Sequence, residues 1–248
     1  MPSLTPKPKT LNPKLYGRRK GRPLSLDLKQ AVESASGQYF IDKDNIASAA
    51  PAGIDPKFFF KILSPLASRP PTSYWLEIGF GTGDFLAGQA AQHPDINIIG
   101  CEAFENGIAK TMQKLLAHKV SNVRIYPDDV RHLLPKLQDG CLDRVFLLFP
   151  DPWPKKRHAK RRFVNPDNVR ELARVIKKGG EFWVATDDPT YQEWVPEQMS
   201  AQSWFQPKNP PTDGFWHLTE PQPWVETNYQ KKARRAGRIP KFVVFSNS

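Results

Sequence analysis

Short apolar, β-rich runs alternate with helix-like stretches from residue 74 to residue 187. Strands are predicted at 74–80, 97–103, 123–129, 142–150 and 181–187, and helices at 83–94, 106–119, 130–137 and 165–180, the last with a Gly-Gly stop. The fourth strand is almost continuously apolar, which is typical of a parallel strand buried on both faces. This alternation predicts an α/β, doubly wound, mostly parallel sheet.

The chain on either side of this region is predicted to be less regular. Residues 1–23 mix Pro, Lys, Gly and Arg with few apolar side chains, which predicts a flexible basic arm that orders only on a partner. Residues 24–73 predict short lead-in helices interrupted by prolines. A further helix, a loop rich in Pro and Trp at 204–224 and a closing strand in KFVVF (241–245) complete a domain expected to span 74–248.

Composition narrows the class of protein. The chain has 248 residues, of which 39% are hydrophobic and 11% aromatic, enough for a sizeable core. No apolar run approaches the roughly 20 residues of a membrane span, and the N-terminal sequence lacks the apolar stretch of a signal peptide. The chain has two cysteines, Cys101 and Cys141, and they match neither the pattern of a disulfide framework nor the spacing of a zinc-binding motif. We therefore expect a cytoplasmic protein that contacts no membrane and holds no metal.

The positive charge is concentrated in three runs that contain no acid. The chain has 36 Lys and Arg against 25 Asp and Glu, a net charge of +11. The runs lie at 1–22, 155–162 and 231–241 and hold more than half of the basic residues, so that the remainder of the chain is net acidic. Such runs favour a polyanionic partner, because phosphate contacts release condensed counterions. A nucleic acid is the first candidate.

A glycine-rich turn follows the first predicted strand. Gly79, Gly81 and Gly83 alternate there, which lets the backbone approach a nucleotide-like ligand at the carboxyl edge of the sheet. The dinucleotide-binding fingerprint places its third Gly one position later, which disfavours an NAD-dependent oxidoreductase. An acid, Glu77, precedes the glycines and would repel a pyrophosphate, but it suits a ligand with a cationic amine and sulfonium. The spacing therefore indicates S-adenosylmethionine.

Acidic residues also end the next three predicted strands. Glu102 is placed to accept both hydroxyls of a ribose. Either Asp128 or Asp129 could accept the adenine amine, and either could instead cap the following helix. Asp151 lies between two prolines, close to Trp153 and four residues before the start of a basic run, which together predict a nucleotide pocket.

Five segments give the chain a specific resemblance to the bacterial tRNA (guanine-N7)-methyltransferase family: LEIGFGTGDFL, GCEAFENG, FPDPWPKKRHAKRRFV, ATDDPTY and TNYQKKARRAGR. The resemblance implies a Rossmann-like class I S-adenosylmethionine-dependent methyltransferase fold. It also implies binding roles for ten residues: Glu77, Glu102, Asp128 and Asp151 for the cofactor, and Lys155, Asp187, Thr227, Asn228, Tyr229 and Gln230 for the substrate. Gln230 departs from the family pattern, which usually has Glu there.

The activity that the resemblance implies is methyl transfer from S-adenosylmethionine to N7 of guanine at position 46, in the variable loop of tRNA. This nitrogen has a free lone pair at neutral pH, so the reaction needs alignment and charge stabilisation rather than a general base. We assign Asp151 the catalytic role of stabilising the positive charge that grows on the purine. The alternatives are a methyltransferase acting on adenine or cytosine amines and a non-catalytic RNA-binding protein. Both a monomer and a homodimer remain open.

Overall fold

A seven-stranded sheet forms the centre of the structure, a computed structural model that describes residues 15–60, 73–212 and 214–248. The strand order is β3-β2-β1-β4-β5-β7-β6, in which β7 and β6 run antiparallel to their neighbours and the other pairs are parallel. The strands are β1 (Ser73–Ile78), β2 (Ile96–Cys101), β3 (Val123–Tyr126), β4 (Leu142–Leu148), β5 (Ile176–Thr186), β6 (Phe205–Pro207) and β7 (Lys241–Asn247). The predicted fold class is confirmed.

Helices cover both faces of this sheet, and each face has its own apolar core. Successive residues of β1 point into opposite cores: Leu76 and Ile78 belong to one core, and Trp75 belongs to the other. None of the helices in the described ranges is both long and apolar enough to span a membrane. The α-helices are α1 (Leu26–Tyr39), α2 (Lys43–Ser48), α3 (Asp84–Gln92), α4 (Glu105–His118), α5 (Val130–Leu133), α6 (Pro166–Val175), α7 (Pro189–Ser200) and α8 (Asn228–Arg235).

The chain reverses its direction across the sheet at β1. It proceeds from β1 to β2 and β3 on one side, and then returns to place β4 and β5 on the other. In open α/β sheets the loops on either side of such a reversal diverge and leave a crevice at the carboxyl ends of the strands. Glu77, near the end of β1, and the acidic residues that follow β2, β3 and β4 therefore all lie at the edge where this fold binds ligands.

The segment between α6 and β5 differs from the prediction. The helix expected over 165–180 ends at Val175, and residues 176–180 already belong to β5. Ile176 pairs with Leu142 and is buried, whereas the next paired residue of β5 is Glu181, so the intervening residues form a bulge. The Gly-Gly pair permits this bulge instead of stopping the helix. The short strand β6 lies inside the predicted Pro- and Trp-rich loop.

The N-terminal region is more ordered than the sequence predicts. The first lead-in helix, α1, is 14 residues long and packs against α4, whereas α2 and a 3₁₀ helix at Pro56–Phe60 are short, as predicted. Residues 15–22 also contact the domain, because the carbonyl of Arg19 accepts a hydrogen bond from the N–H of Glu105, and Asn106 bonds the backbone of both Gly21 and Arg22. Residues 1–14 and 61–72 lie outside the described residues, so the predicted boundaries at 23 and 73 stay predictions.

Candidate active site

A cavity of about 640 Å³ opens at the carboxyl ends of β1, β2 and β4. Several of the predicted site residues line it, together with a segment that the sequence did not indicate. The lining includes Gly79 and Gly81 after β1, Glu102 after β2, Asp128 and Asp129 after β3, Asp151 after β4, Tyr229 of α8, and Leu15, Tyr16, Gly17 and Arg18 from the N-terminal region.

The glycine-rich turn adopts left-handed backbone conformations that require glycine. Gly79, Gly81 and Gly83 have φ angles of +68°, +56° and +68°. A Cβ atom on Gly81 would lie 3.0 Å from the ring of Tyr229, and one on Gly83 would lie 2.3 Å from the hydroxyl of Thr111. The turn is therefore closely packed by α4 and α8 while its backbone faces the cavity.

Glu77 is a buried carboxyl group without a hydrogen-bond partner for one of its oxygens. The residue is 3% exposed, and Oε2 contacts no donor among the described residues. Burial raises the pKa of Glu77 to about 8, and the negative charges of Glu102 and Asp84 add to this effect. A buried acid in this state gains most from a cationic ligand, which restores the charge that burial disfavours.

Glu102 connects β2 to the glycine-rich turn. Its carboxylate accepts the backbone N–H groups of Gly81 at 2.9 Å, Ala103 at 2.8 Å and Phe104 at 2.9 Å. Burial raises the pKa of Glu102, and these three hydrogen bonds oppose the rise. A carboxylate has about four lone-pair positions, so Glu102 keeps some capacity to accept a further donor. Glu102, which the sequence predicts to be an acceptor for the ribose hydroxyls, thus also holds the turn.

The two aspartates after β3 have different surroundings. Asp129 accepts the N–H of Arg131 at 3.0 Å, which caps α5, and it also pairs with the guanidinium of Arg131. Asp128 accepts a hydrogen bond of 2.7 Å from Nη2 of Arg19. Burial acts to raise the pKa of Asp128, but hydrogen bonds from the Asp129 N–H and from Arg19 outweigh it and lower the pKa. Asp128 is thus the better candidate for a ligand contact.

The loop after β4 presents Asp151 at the rim of the cavity. Asp151 is exposed, and no residue of the described ranges donates a hydrogen bond to its carboxylate. Arg162 holds this loop, because it donates to the carbonyls of Pro152 at 3.0 Å and Trp153 at 3.1 Å and stacks on Trp194. Although it ends a basic run, Arg162 is buried and serves the loop instead of facing solvent.

Arg161 lies between two aromatic rings at the mouth of the cavity. Its guanidinium is 4.9 Å from the ring centroid of Tyr16 and 4.8 Å from that of Trp153. Its Nε is buried and has no partner within the described part of the chain. The N-terminal segment and the basic run at 155–162 therefore meet at the cavity. A lone aromatic residue within the basic arm, Tyr16, is the one sequence feature that could have indicated this contact.

The first turn of α8 contacts the site in three different ways. Thr227 caps the helix by accepting the N–H of Gln230 at 3.0 Å. Asn228 donates to Oδ2 of Asp84 at 2.8 Å and to Oγ1 of Thr82 at 3.0 Å. Tyr229 lines the cavity, and burial raises the pKa of its hydroxyl, aided by the charges of nearby acids. Of the predicted substrate residues in this segment, only Tyr229 faces the cavity.

Comparison with known proteins agrees with this geometry. A family model described as a putative methyltransferase matches residues 71–241. The curated tRNA (guanine-N(7)-)-methyltransferase of Rhodospirillum rubrum is 39% identical over 241 residues, which cover 97% of this chain and 90% of that protein. The protein of the same name from Granulibacter bethesdensis is 47% identical over 186 residues, covering 72% of this chain and 79% of that protein.

The chain belongs to the tRNA (guanine-N7)-methyltransferase family. The family predicted from the sequence is confirmed. Solved structures support the methyltransferase fold alone. The 16S rRNA methyltransferase KamB has a TM-score of 0.51 at 15% identity, covering 71% of this chain and 88% of that one. TrmN from Thermus thermophilus has a TM-score of 0.50 at 18% identity, covering 74% and 46%.

Gln230, where this member departs from the usual Glu of the tRNA (guanine-N7)-methyltransferase family, does not line the cavity. The side chain is fully buried, its oxygen accepts the indole N–H of Trp224 at 2.8 Å, and its NH₂ group donates to Glu220 at 2.6 Å. The substrate-binding role that the family resemblance implies for Gln230 therefore does not fit its place in this structure. The amide is needed because one neighbour is a donor and the other an acceptor.

Glu77, Lys155 and Asp187, which the family resemblance also indicated, are not part of the cavity lining. Lys155 is exposed, directly before a 3₁₀ helix at Lys156–Arg161. Asp187 follows β5 and accepts a hydrogen bond of 2.6 Å from Nε of Arg238. Within the described ranges, no group of three or more His, Cys, Asp or Glu side chains is arranged to hold a metal ion.

Proposed function

We propose that this protein transfers a methyl group from S-adenosylmethionine to N7 of guanine at position 46 in the variable loop of tRNA, in the cytoplasm. One observation carries the proposal: a single cavity joins acidic acceptors at the sheet edge to an aromatic and basic mouth. Glu102 and Asp128 line it together with Asp151, Trp153 and Arg161. The acidic part suits a cationic cofactor, and the basic part suits RNA.

The side chains present fit S-adenosylmethionine. Its amine, ribose hydroxyls and adenine amine are donors, and carboxylates are the matching acceptors. Glu77, whose buried oxygen has no partner, would receive the cationic amino-acid end, Glu102 the ribose and Asp128 the adenine. Gly79, Gly81 and Gly83 would let the backbone approach the ligand. When bound, S-adenosylmethionine supplies an electrophilic methyl group on a positively charged sulfonium.

The protein then has to orient guanine and balance charge. N7 of guanine carries a free lone pair at neutral pH, so no side chain needs to remove a proton from it. Asp151, at the rim and without a hydrogen-bond partner among the described residues, is free to accept the N–H groups of the base. Its negative charge would stabilise the positive charge that develops on the purine ring.

The basic runs would bind the phosphates of the tRNA. Lys155, Lys156 and Lys160 are exposed beside the cavity mouth, and α8 exposes further cations after Tyr229. Thr227, Asn228 and Asp187 would act on the substrate side by positioning α8 and the end of β5. Phosphate contacts contribute affinity and position the tRNA, but they do not select a base. The base would therefore be selected by the pocket around Asp151.

The direct test is incubation of the protein with labelled S-adenosylmethionine and bulk tRNA, followed by nucleoside analysis. We expect label in 7-methylguanosine, and none when the position 46 guanine is replaced in a tRNA transcript. Label in a methylated adenine or cytosine would replace this proposal with the amine-directed alternative. Tight tRNA binding without transfer would favour a non-catalytic RNA-binding protein.

A further inference from the structure

Asp84, the first residue of α3, is the centre of a hydrogen-bonded cluster behind the glycine-rich turn. Its carboxylate accepts bonds from three side chains: Oγ1 of Thr82 at 2.7 Å, Nζ of Lys114 at 2.6 Å and Nδ2 of Asn228 at 2.8 Å. Burial acts to raise the pKa of Asp84, but the hydrogen bonds from Lys114 and Thr82 outweigh it and lower the pKa. The acid is therefore ionised and can hold all three donors.

Lys114 and Asn228 each make a second bond to the same turn. Nζ of Lys114 also donates to the carbonyl of Thr82 at 2.6 Å, and Nδ2 of Asn228 also donates to its hydroxyl at 3.0 Å. Lys114 lies on α4 and Asn228 begins α8, so two helices that are distant in sequence hold one short segment. Lys114 is only partly exposed, and none of the sequence motifs includes it.

The segment that they hold lies between two glycines with positive φ. Gly81 and Gly83 flank Thr82, and glycines restrain the backbone less than other residues do. Gly81 lines the cavity and donates its N–H to Glu102. The position of this wall therefore depends on side chains outside the turn: Glu102 bonds Gly81, whereas Lys114 and Asn228 bond Thr82.

The same cluster reaches the side of the protein that faces RNA. Tyr229, next to Asn228, lines the cavity and packs against Gly81. One turn further on, α8 exposes the cations of Lys231, Lys232 and Arg235. A shift of α8 toward phosphates would therefore move Asn228 and, through Asp84, the cofactor wall.

We propose that Lys114 is a positioning residue which, together with Asn228 and through Asp84, couples the binding of S-adenosylmethionine to the binding of tRNA. This inference rests on the proposed function. Coupling of this kind is reciprocal: each ligand raises the affinity for the other by the same factor. A merely structural role for Lys114 would alter stability without altering that factor.

The test measures the dissociation constant of S-adenosylhomocysteine by calorimetry, with and without saturating unmodified tRNA transcript. We expect tRNA to tighten binding at least about fivefold in the full-length protein. Lys114→Met and Asn228→Ala should each bring the factor close to one, and the double variant should show no further loss, since both act on Asp84. Lys114→Arg should retain coupling, because its guanidinium can still donate to both oxygens.

Lys110→Met is the matched control, since Lys110 is exposed one turn earlier on the same helix. Its coupling factor should equal that of the wild type. Wild-type protein that binds both ligands without coupling would overturn this inference and leave the proposed function standing, whereas binding of neither ligand would overturn the proposed function. Full coupling in Lys114→Met would also overturn the inference. If that variant does not fold, Asn228→Ala and Lys114→Arg decide the question.

Discussion

The guanidinium of Arg19 donates a 2.7 Å hydrogen bond to the carboxylate of Asp128, which lies 109 residues later in the chain. The bond ties the N-terminal segment to the loop after β3. Residues 15–18, directly before Arg19, line the cavity on that side. A segment whose composition indicates an RNA-binding tail thus also forms a wall of the proposed cofactor site.

Two N-terminal deletions separate these roles. Removal of residues 1–22 takes away Tyr16 and Arg19, so it should weaken binding of S-adenosylhomocysteine as well as tRNA. Removal of residues 1–14 leaves the wall in place and should weaken only tRNA binding, because it removes Lys7, Lys9 and Lys14. Calorimetry with each ligand measures both effects. Equal affinity for S-adenosylhomocysteine in the two deletion variants would contradict a role for residues 15–22 in binding the cofactor.

Replacement of Glu77 by Gln should change the pH dependence of stability. The pKa of Glu77 is about 8 in the folded protein against an ordinary value of 4.5, so the folded state binds a proton that the unfolded state releases. The stability that this proton contributes is complete below pH 4.5 and is lost as pH rises toward 8. The melting temperature of Glu77→Gln should therefore exceed that of wild type by a margin that grows from pH 5 to pH 8. A difference in melting temperature that stays the same from pH 5 to pH 8 would contradict the raised pKa of Glu77.

Asp151→Asn should reduce turnover much more than tRNA affinity. The amide keeps the shape of the side chain but loses the charge that would stabilise the methylated purine. Single-turnover rates and tRNA binding measure the two quantities separately. Asp167→Asn, on the exposed first turn of α6, is the control and should match wild type. Near-normal turnover in Asp151→Asn would reduce the residue to a part of the loop.

The salt dependence of tRNA binding should distinguish basic residues that contact tRNA phosphates from those that bond to other parts of the protein. Lys155→Ala should flatten the log–log slope by roughly one unit, because one phosphate contact is lost. Lys178 is exposed near the N-terminal end of β5, so Lys178→Ala should leave the slope unchanged. Arg162→Ala should instead destabilise the loop after β4, because Arg162 holds the carbonyls of Pro152 and Trp153.

Gln230→Glu should lower stability by about 1–3 kcal/mol, because a carboxylate at this position cannot donate to Glu220 and leaves two acids in contact. Chemical denaturation measures the change. The double variant Gln230→Glu with Glu220→Gln exchanges donor and acceptor and should recover most of the loss. No recovery would contradict the importance of this bond.

The sequence by itself determined the fold class, the family and the edge of the sheet at which the candidate site lies. Each of these depends on local pattern: strand and helix periodicity, the glycine spacing, and acids that end parallel strands. Because parallel strands end at one edge, Glu102, Asp128 and Asp151 had to lie near each other. The placement of Asp151 in the loop after β4 could also be predicted, because the prolines on both sides restrict its backbone.

Only the tertiary structure decided which polar side chains face ligands and which hold the protein together. Arg161 and Arg162 are adjacent members of one basic run, yet one stacks between aromatic rings at the cavity and the other is buried beneath a loop. Gln230 lies in the segment that the family resemblance assigns to the substrate, yet it bonds Trp224 and Glu220 in the interior. Burial makes a polar group bond whatever donor or acceptor the fold brings beside it, and residues far apart in sequence supply those partners.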